Sequence, residues 1–297
     1  MRIPKIVRNS LSIILPVFLG CGTGDPTAPR GGTPEWHWEN AGQHYDRAEF
    51  SKMVAELDIV AERDTPLNRK AVVWRTTVLL GLSRGYKEIG DAYRAAIEEN
   101  EKLDSAYRNS LQQVNRDARQ FAVELAESLG AVEQAMSGEK VVCEFPFPSG
   151  SPAEPAYLLA IRKAQQVTPE QALGASELAV RRGIILAASE FCGIGAAPED
   201  AVKAASVFEA GPAEVPKDQA RLIFAKMLLD TALVFSAERL NQPDIRKLLI
   251  DRSEQWIAPY LDSEDDDLKK RAQGLKEEIE DELRDMKRQP RRLKKRK

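Results

Sequence analysis

The stretch YRNSLQQVNRDARQFAVELAESLGAVEQAM, Tyr107–Met136, decides the fold. Tyr107, Leu111, Val114, Ala118, Phe121, Leu125, Leu129, Val132 and Met136 follow one another at steps of three and four, with mostly charged or amide residues between them. That spacing places the apolar side chains on one face of a helix, and the face has to be covered. The pattern extends back to Asp91, as a single long helix or as two broken near Asn100 to Asp104. The cover is either another helix of this chain or a second copy in a coiled coil.

Outward from this stretch the composition stays helical. Glycine and proline are sparse and clustered, while Ala, Leu, Glu, Lys, Arg and Gln dominate long intervals. The expected fold is all-α, with helical hairpins in a bundle or short α-solenoid, in two helical halves with a long helix in the first. The 297 residues, 43% apolar and 30% charged, are enough for a substantial core.

Start signals support this division. Thr33-Pro34-Glu35 and Thr168-Pro169-Glu170-Gln171 each set a hydroxyl cap before a first-turn proline, and Ser151-Pro152-Ala153-Glu154 repeats the arrangement. Phe50, Met53, Val54, Leu57 and Val60 form a stripe that ends at Asp64-Thr65-Pro66, and a second helix runs from there toward Gly85. Residues 138–150, with Val141-Val142-Cys143-Glu144-Phe145-Pro146-Phe147-Pro148, cannot be helix and form the extended link between halves. The expected organisation is therefore 1–20 signal peptide, 21–33 flexible tether, 34–137 first helical domain, 138–150 linker, 151–286 second helical domain and 287–297 basic tail. Gly193 and Gly195 follow a helix and not a strand, so they suit a C-terminal glycine cap better than a phosphate loop.

From Tyr45 to Ile97 the hairpin resembles tetratricopeptide-type repeats. Ala61 and Pro66 match the small residue and terminal proline of one unit; Leu82, Tyr86, Gly90 and Ala95 match part of the next. The resemblance implies helical hairpins stacked to present a protein-binding surface.

The beginning of the chain sets its address. Arg2, Lys5 and Arg8 precede the apolar run Leu11 to Gly20, about half the roughly 20 residues that a membrane-spanning helix needs, and then comes Cys21. Phe18-Leu19-Gly20-Cys21 resembles the box that ends a bacterial lipoprotein signal peptide, with Phe18 where that family usually has Leu. The resemblance implies a diacylglycerol thioether on Cys21 and a membrane-anchored chain in the bacterial cell envelope. Gly22 after the cysteine resembles lipoproteins sorted to the outer membrane, which implies the periplasmic side of that membrane in a two-membrane bacterium. Cys143 and Cys192 are then left as a pair in an oxidising space, and either a disulfide or two free thiols remains open.

Charge is divided along the chain. The formal net charge is −3; with the three basic residues before Cys21 and the eight Lys or Arg of residues 287–297 set aside, the body carries −14. The basic tail is expected to be disordered, and contact with anionic lipid is a further reading of it. Nucleic acid is not an expected partner, because the tail has no interleaved aromatics and the start of the chain reads as an export signal.

Motifs for chemistry are missing. His37 and His44 share a helical face but have no third ligand at metal spacing, and no Ser-His-Asp constellation, cofactor loop or zinc helix is present. Glu127-Ser128 matches the pair of lytic transglycosylases without the Gly-Leu-Met-Gln segment that completes their pattern. Trp36, Trp38, Phe145 and Phe147 are the candidate anchors for a protein partner. The expected role is a lipid-anchored scaffold or adaptor without a cofactor. The alternatives are an envelope hydrolase without a recognisable motif and a small-ligand binder with a pocket between the halves.

Overall fold

A computed structural model describes residues 29–100, 105–136, 138–144, 155–234 and 243–294. Among these residues there are ten α-helices and one two-stranded sheet, so the all-α expectation holds. The helices are α1 (Pro34–Asp46), α2 (Phe50–Ala61), α3 (Asn68–Glu99), α4 (Ser105–Ala135), α5 (Ala156–Arg162), α6 (Pro169–Phe191), α7 (Pro198–Ala210), α8 (Lys217–Leu233), α9 (Pro243–Ile257) and α10 (Asp266–Lys294). Strands β1 (Lys140–Cys143) and β2 (Ala213–Pro216) pair antiparallel, with Cys143 opposite Ala213.

Local chemistry explains the starts. Thr33 caps α1 through its Oγ1, which accepts from the Trp36 amide at 3.3 Å, and Pro34 occupies the first turn. Thr168 and Gln171 form a reciprocal capping box on α6. The end of α6 is a Schellman turn. The Ile194 amide donates to the Ser189 carbonyl and the Gly193 amide to that of Glu190, with Gly193 at φ 73°.

The hub is α3, 32 residues long and buried on most sides. It packs most extensively against α4, so the stripe from Tyr107 to Met136 is covered by a helix of the same chain. Leu111, Val114, Phe121, Leu125 and Leu129 are all buried there. Its opposite side meets α6, and this contact joins the two halves into one continuous apolar core.

Gly85 does not end a helix, as its place in the sequence suggested. Gly81 and Gly85 stand one turn apart on α3 and face Gly183 of α6 at a crossing where the two backbones touch. A Cβ on Gly85 would lie 2.6 Å from Val180 Cα, and one on Gly183 would lie 2.7 Å from the Gly85 amide nitrogen. Two ion pairs flank the crossing, Arg84 with Glu190 at 2.6 Å and Arg182 with Glu88 at 2.5 Å.

Two other boundaries differ from expectation. Residues 140–143 are extended, as their composition requires, but they pair with 213–216 in a ribbon that the sequence did not announce. The β-branched Val141 and Val215 face inward there, 2% and 3% exposed. The last helix does not stop at Met286. It runs on through Lys294, and Asp266 and Asp267 complement the helix dipole at its start.

Candidate functional site

The second half holds a cavity of about 550 Å³, bounded by the turn after α6 and by α8 and α10. Leu222, Ile223 and Leu275 give it an apolar floor; Lys226, Arg271, Glu190 and Glu278 supply charge around it. Gly193 and Gly195 bring backbone to its edge, and Gln219 reaches the same edge from α8. The position of Gly195 is enforced, since it sits at φ 142° and a Cβ would collide with the Asp200 carboxylate.

The charges at the cavity are largely committed to one another. Lys226 Nζ donates to Asp230 at 2.7 Å and to Glu278 at 2.9 Å, which ties α8 to α10. Burial pulls the Lys226 ammonium down, but the two carboxylates outweigh it and hold it above the usual lysine range. Glu190 is taken by Arg84. Arg271 is the cation with the loosest partner, Asp267 at 3.8 Å. The arrangement suits an amphiphilic guest with an anionic group, and it lies within the second half and not between the halves.

Immediately before Gly193 stands Cys192, and its thiol is a direct neighbour of the Cys143 thiol on β1. Cys143 is fully buried and Cys192 is half-buried. The fold thus brings together the two cysteines singled out from the sequence.

A second cleft, about 230 Å³, lies between α2, α3 and α4 and is lined by Asp58, Glu62, Arg75, Thr76, Glu127 and Ser128. Arg75 pairs with Asp58, and Ser128 donates its hydroxyl to the Leu125 carbonyl at 2.8 Å. The Ser128 hydroxyl hydrogen is thus engaged by its own helix and not by one of the carboxylates of the lining.

The histidines of α1 meet carboxylates of the next turn and helix. His37 Nδ1 lies 2.5 Å from Glu56 Oε2, His44 Nδ1 lies 2.7 Å from Glu49 Oε2, and His44 Nε2 is 3.8 Å from the other Glu56 oxygen. Hydrogen bonds from Lys52 and His44 hold the Glu49 carboxyl below the usual carboxylate range. Among the described residues, no group of three or more His, Cys, Asp or Glu could hold a metal ion.

The expected partner anchors divide. Trp38 is half-buried and packs on Trp74, with ring centroids 4.8 Å apart; Trp36 is half-buried and meets His37 edge-on at 4.9 Å. Phe145, Phe147 and Cys21 lie outside the described residues. Among the described residues the large exposed apolar side chains are Tyr157 and Leu159 on α5, Leu173 and Leu178 on α6, Val202 and Val207 on α7, and Leu248 on α9. They escape sequence reading because an exposed leucine in an amphipathic stretch looks the same as a buried one.

Comparison with protein-family models, curated proteins and solved structures finds no match for this chain in any of the three. No helix of the described residues is long and apolar enough to cross a membrane.

Proposed function

We propose that the chain is a lipid-anchored helical adaptor of the bacterial cell envelope, held at the membrane through a diacylglycerol on Cys21 and binding a protein partner with its helical body. The observation that carries this reading is the order of the first 21 residues: three cations, a ten-residue apolar run, and Gly20-Cys21. The antiparallel helices α2 and α3 support the adaptor role, as do the apolar side chains exposed on the adjoining helices α5 and α6. Contact of the cationic end of α10 with anionic lipid would add to the anchor.

Metabolic labelling with a fatty-acid analogue in a bacterial host tests the anchor. Wild type takes up label and fractionates with membranes, and Cys21→Ser does neither. Equal labelling of the two overturns the anchor. A photo-crosslinker placed at Leu173 in intact cells tests the adaptor role, with one placed at Gln112 on exposed α4 surface as the control. A discrete protein adduct from position 173 alone is expected, and no adduct from either position overturns it.

The cavity favours a second reading, a binder of small amphiphilic anions. Its volume falls within the range of small-molecule sites, roughly 300–1,000 Å³. Amphiphilic carboxylates that raise the melting temperature of wild type but not of Leu222→Trp, which fills the floor, would establish it.

A further inference from the structure

We infer that Cys143 and Cys192 are a disulfide-forming pair, which fastens β1 to the turn that ends α6. The two thiols come from elements far apart in the chain and are placed side by side by the fold. Cys143 is fixed by the β1–β2 ladder, where it stands opposite Ala213. Cys192 is fixed by the Schellman turn, whose bonds run through its immediate neighbours. Among the described residues no third metal-ligating side chain joins them, so the pair suits a covalent bridge better than a metal site.

The chemistry requires an oxidant, and an exported chain meets one in the form of another protein's or a small molecule's disulfide. The half-buried Cys192 sulfur attacks that disulfide first, giving a mixed disulfide and releasing one thiol of the oxidant. Cys143 then attacks the Cys192 sulfur, forming the internal S–S bond and releasing the second thiol. Two S–H bonds are lost; the two electrons and two protons leave on the oxidant as its two thiols. Burial pushes the Cys192 thiol well above the ordinary cysteine range, which slows its attack in the folded chain. Cys192 directly precedes Gly193, so the bridge would also fix one edge of the cavity.

The inference relies on the envelope reading only for the source of oxidant, and the test separates the two. The full-length chain carrying Cys21→Ser, purified in detergent and reduced, is unfolded and refolded in a mixture of glutathione and glutathione disulfide. Expected by intact mass is a species lighter by two hydrogens with no glutathione adduct, with residues 143 and 192 joined in the peptide map. Its melting temperature is expected to fall on reduction. Free thiols at both positions, or glutathione on each, overturn the inference, and this mass readout does not depend on the stability of any cysteine variant. Acid-trapped wild-type cells then address the envelope reading alone. A chain that closes in the refolding test but whose 143 and 192 thiols are fully alkylated from cells keeps the pair and overturns export.

Discussion

Gly81 and Gly183 meet backbone to backbone where α3 crosses α6, and no side chain stands between them. A methyl group on Gly81 would overlap the Ile184 Cα, and neither helix can retreat without opening the core on its other side. Gly81→Ala and Gly183→Ala are each expected to cost about 3 kcal/mol or more. Gly130, exposed on α4 with nothing within 4 Å of a built Cβ, gives the opposite sign; Gly130→Ala gains about 0.5–1 kcal/mol from helix propensity. Urea denaturation of the three variants checks both directions, and equal effects at the crossing and at Gly130 would refute the close contact.

Arg246 carries a buried guanidinium, 3% exposed, whose partner is Glu282 on α10. Glu282→Gln leaves that charge uncompensated and is expected to destabilise by about 3 kcal/mol. The double variant Arg246→Met, Glu282→Leu removes both charges and is expected to lie within about 1 kcal/mol of wild type. Denaturant midpoints decide the matter; a single variant as stable as the wild type contradicts the pairing.

Glu56 serves two histidines of the neighbouring helix, one through each carboxylate oxygen. Glu56→Gln is expected to cost about 1–2 kcal/mol, the difference a charge-assisted bond makes in a partly buried site. A double-mutant cycle with His37→Gln measures the coupling, and additive effects would show that the contact contributes nothing.

Three phenols make the fold sensitive to alkali. Burial pushes Tyr45, Tyr86 and Tyr260 each up to about 12, helped by Asp117 at Tyr86 and by Asp218 at Tyr260 and opposed by Arg181 at Tyr45. The unfolded value is about 10, so the preference of the fold for neutral phenol is fully present below pH 10. It is lost as pH rises through 12. Ultraviolet titration is expected to show these phenols still protonated at pH 11 in the folded chain, with stability falling from pH 10 upward. A single transition near 10 for every tyrosine of the folded protein would contradict this.

What was legible in the sequence depended on whether the signal was local. The caps at Thr33 and Thr168, the glycine turn after Phe191 and the stripe on α4 rest on residues a few positions apart, and each is present. Gly81 and Gly85 lack a local signature. In a single chain they read as helix punctuation, and only the α6 surface they meet shows why a side chain is excluded. The same holds for β1 and β2, each four residues long and stabilised only by the other. At the candidate site, the Lys226–Asp230 spacing could be read as a helical ion pair, whereas Glu278, which ties it to α10, lies 52 residues further on. Cys143 and Cys192 could be named as a pair by counting, but their proximity comes from the ribbon and the α6 turn together.

The position of α3 between α4 and α6 also orders the folding reaction. Helices α1 to α4 contact their sequence neighbours, whereas the ion pairs that flank the α3–α6 crossing join residues 106 and 94 positions apart. Contacts of high sequence separation close a long loop before they are rewarded, so the first four helices are expected to assemble early and α6 to dock late. In such an interval Val180 and Ile184, buried at the finished crossing, would face solvent, and the half-assembled chain would carry an adhesive strip that the native state hides.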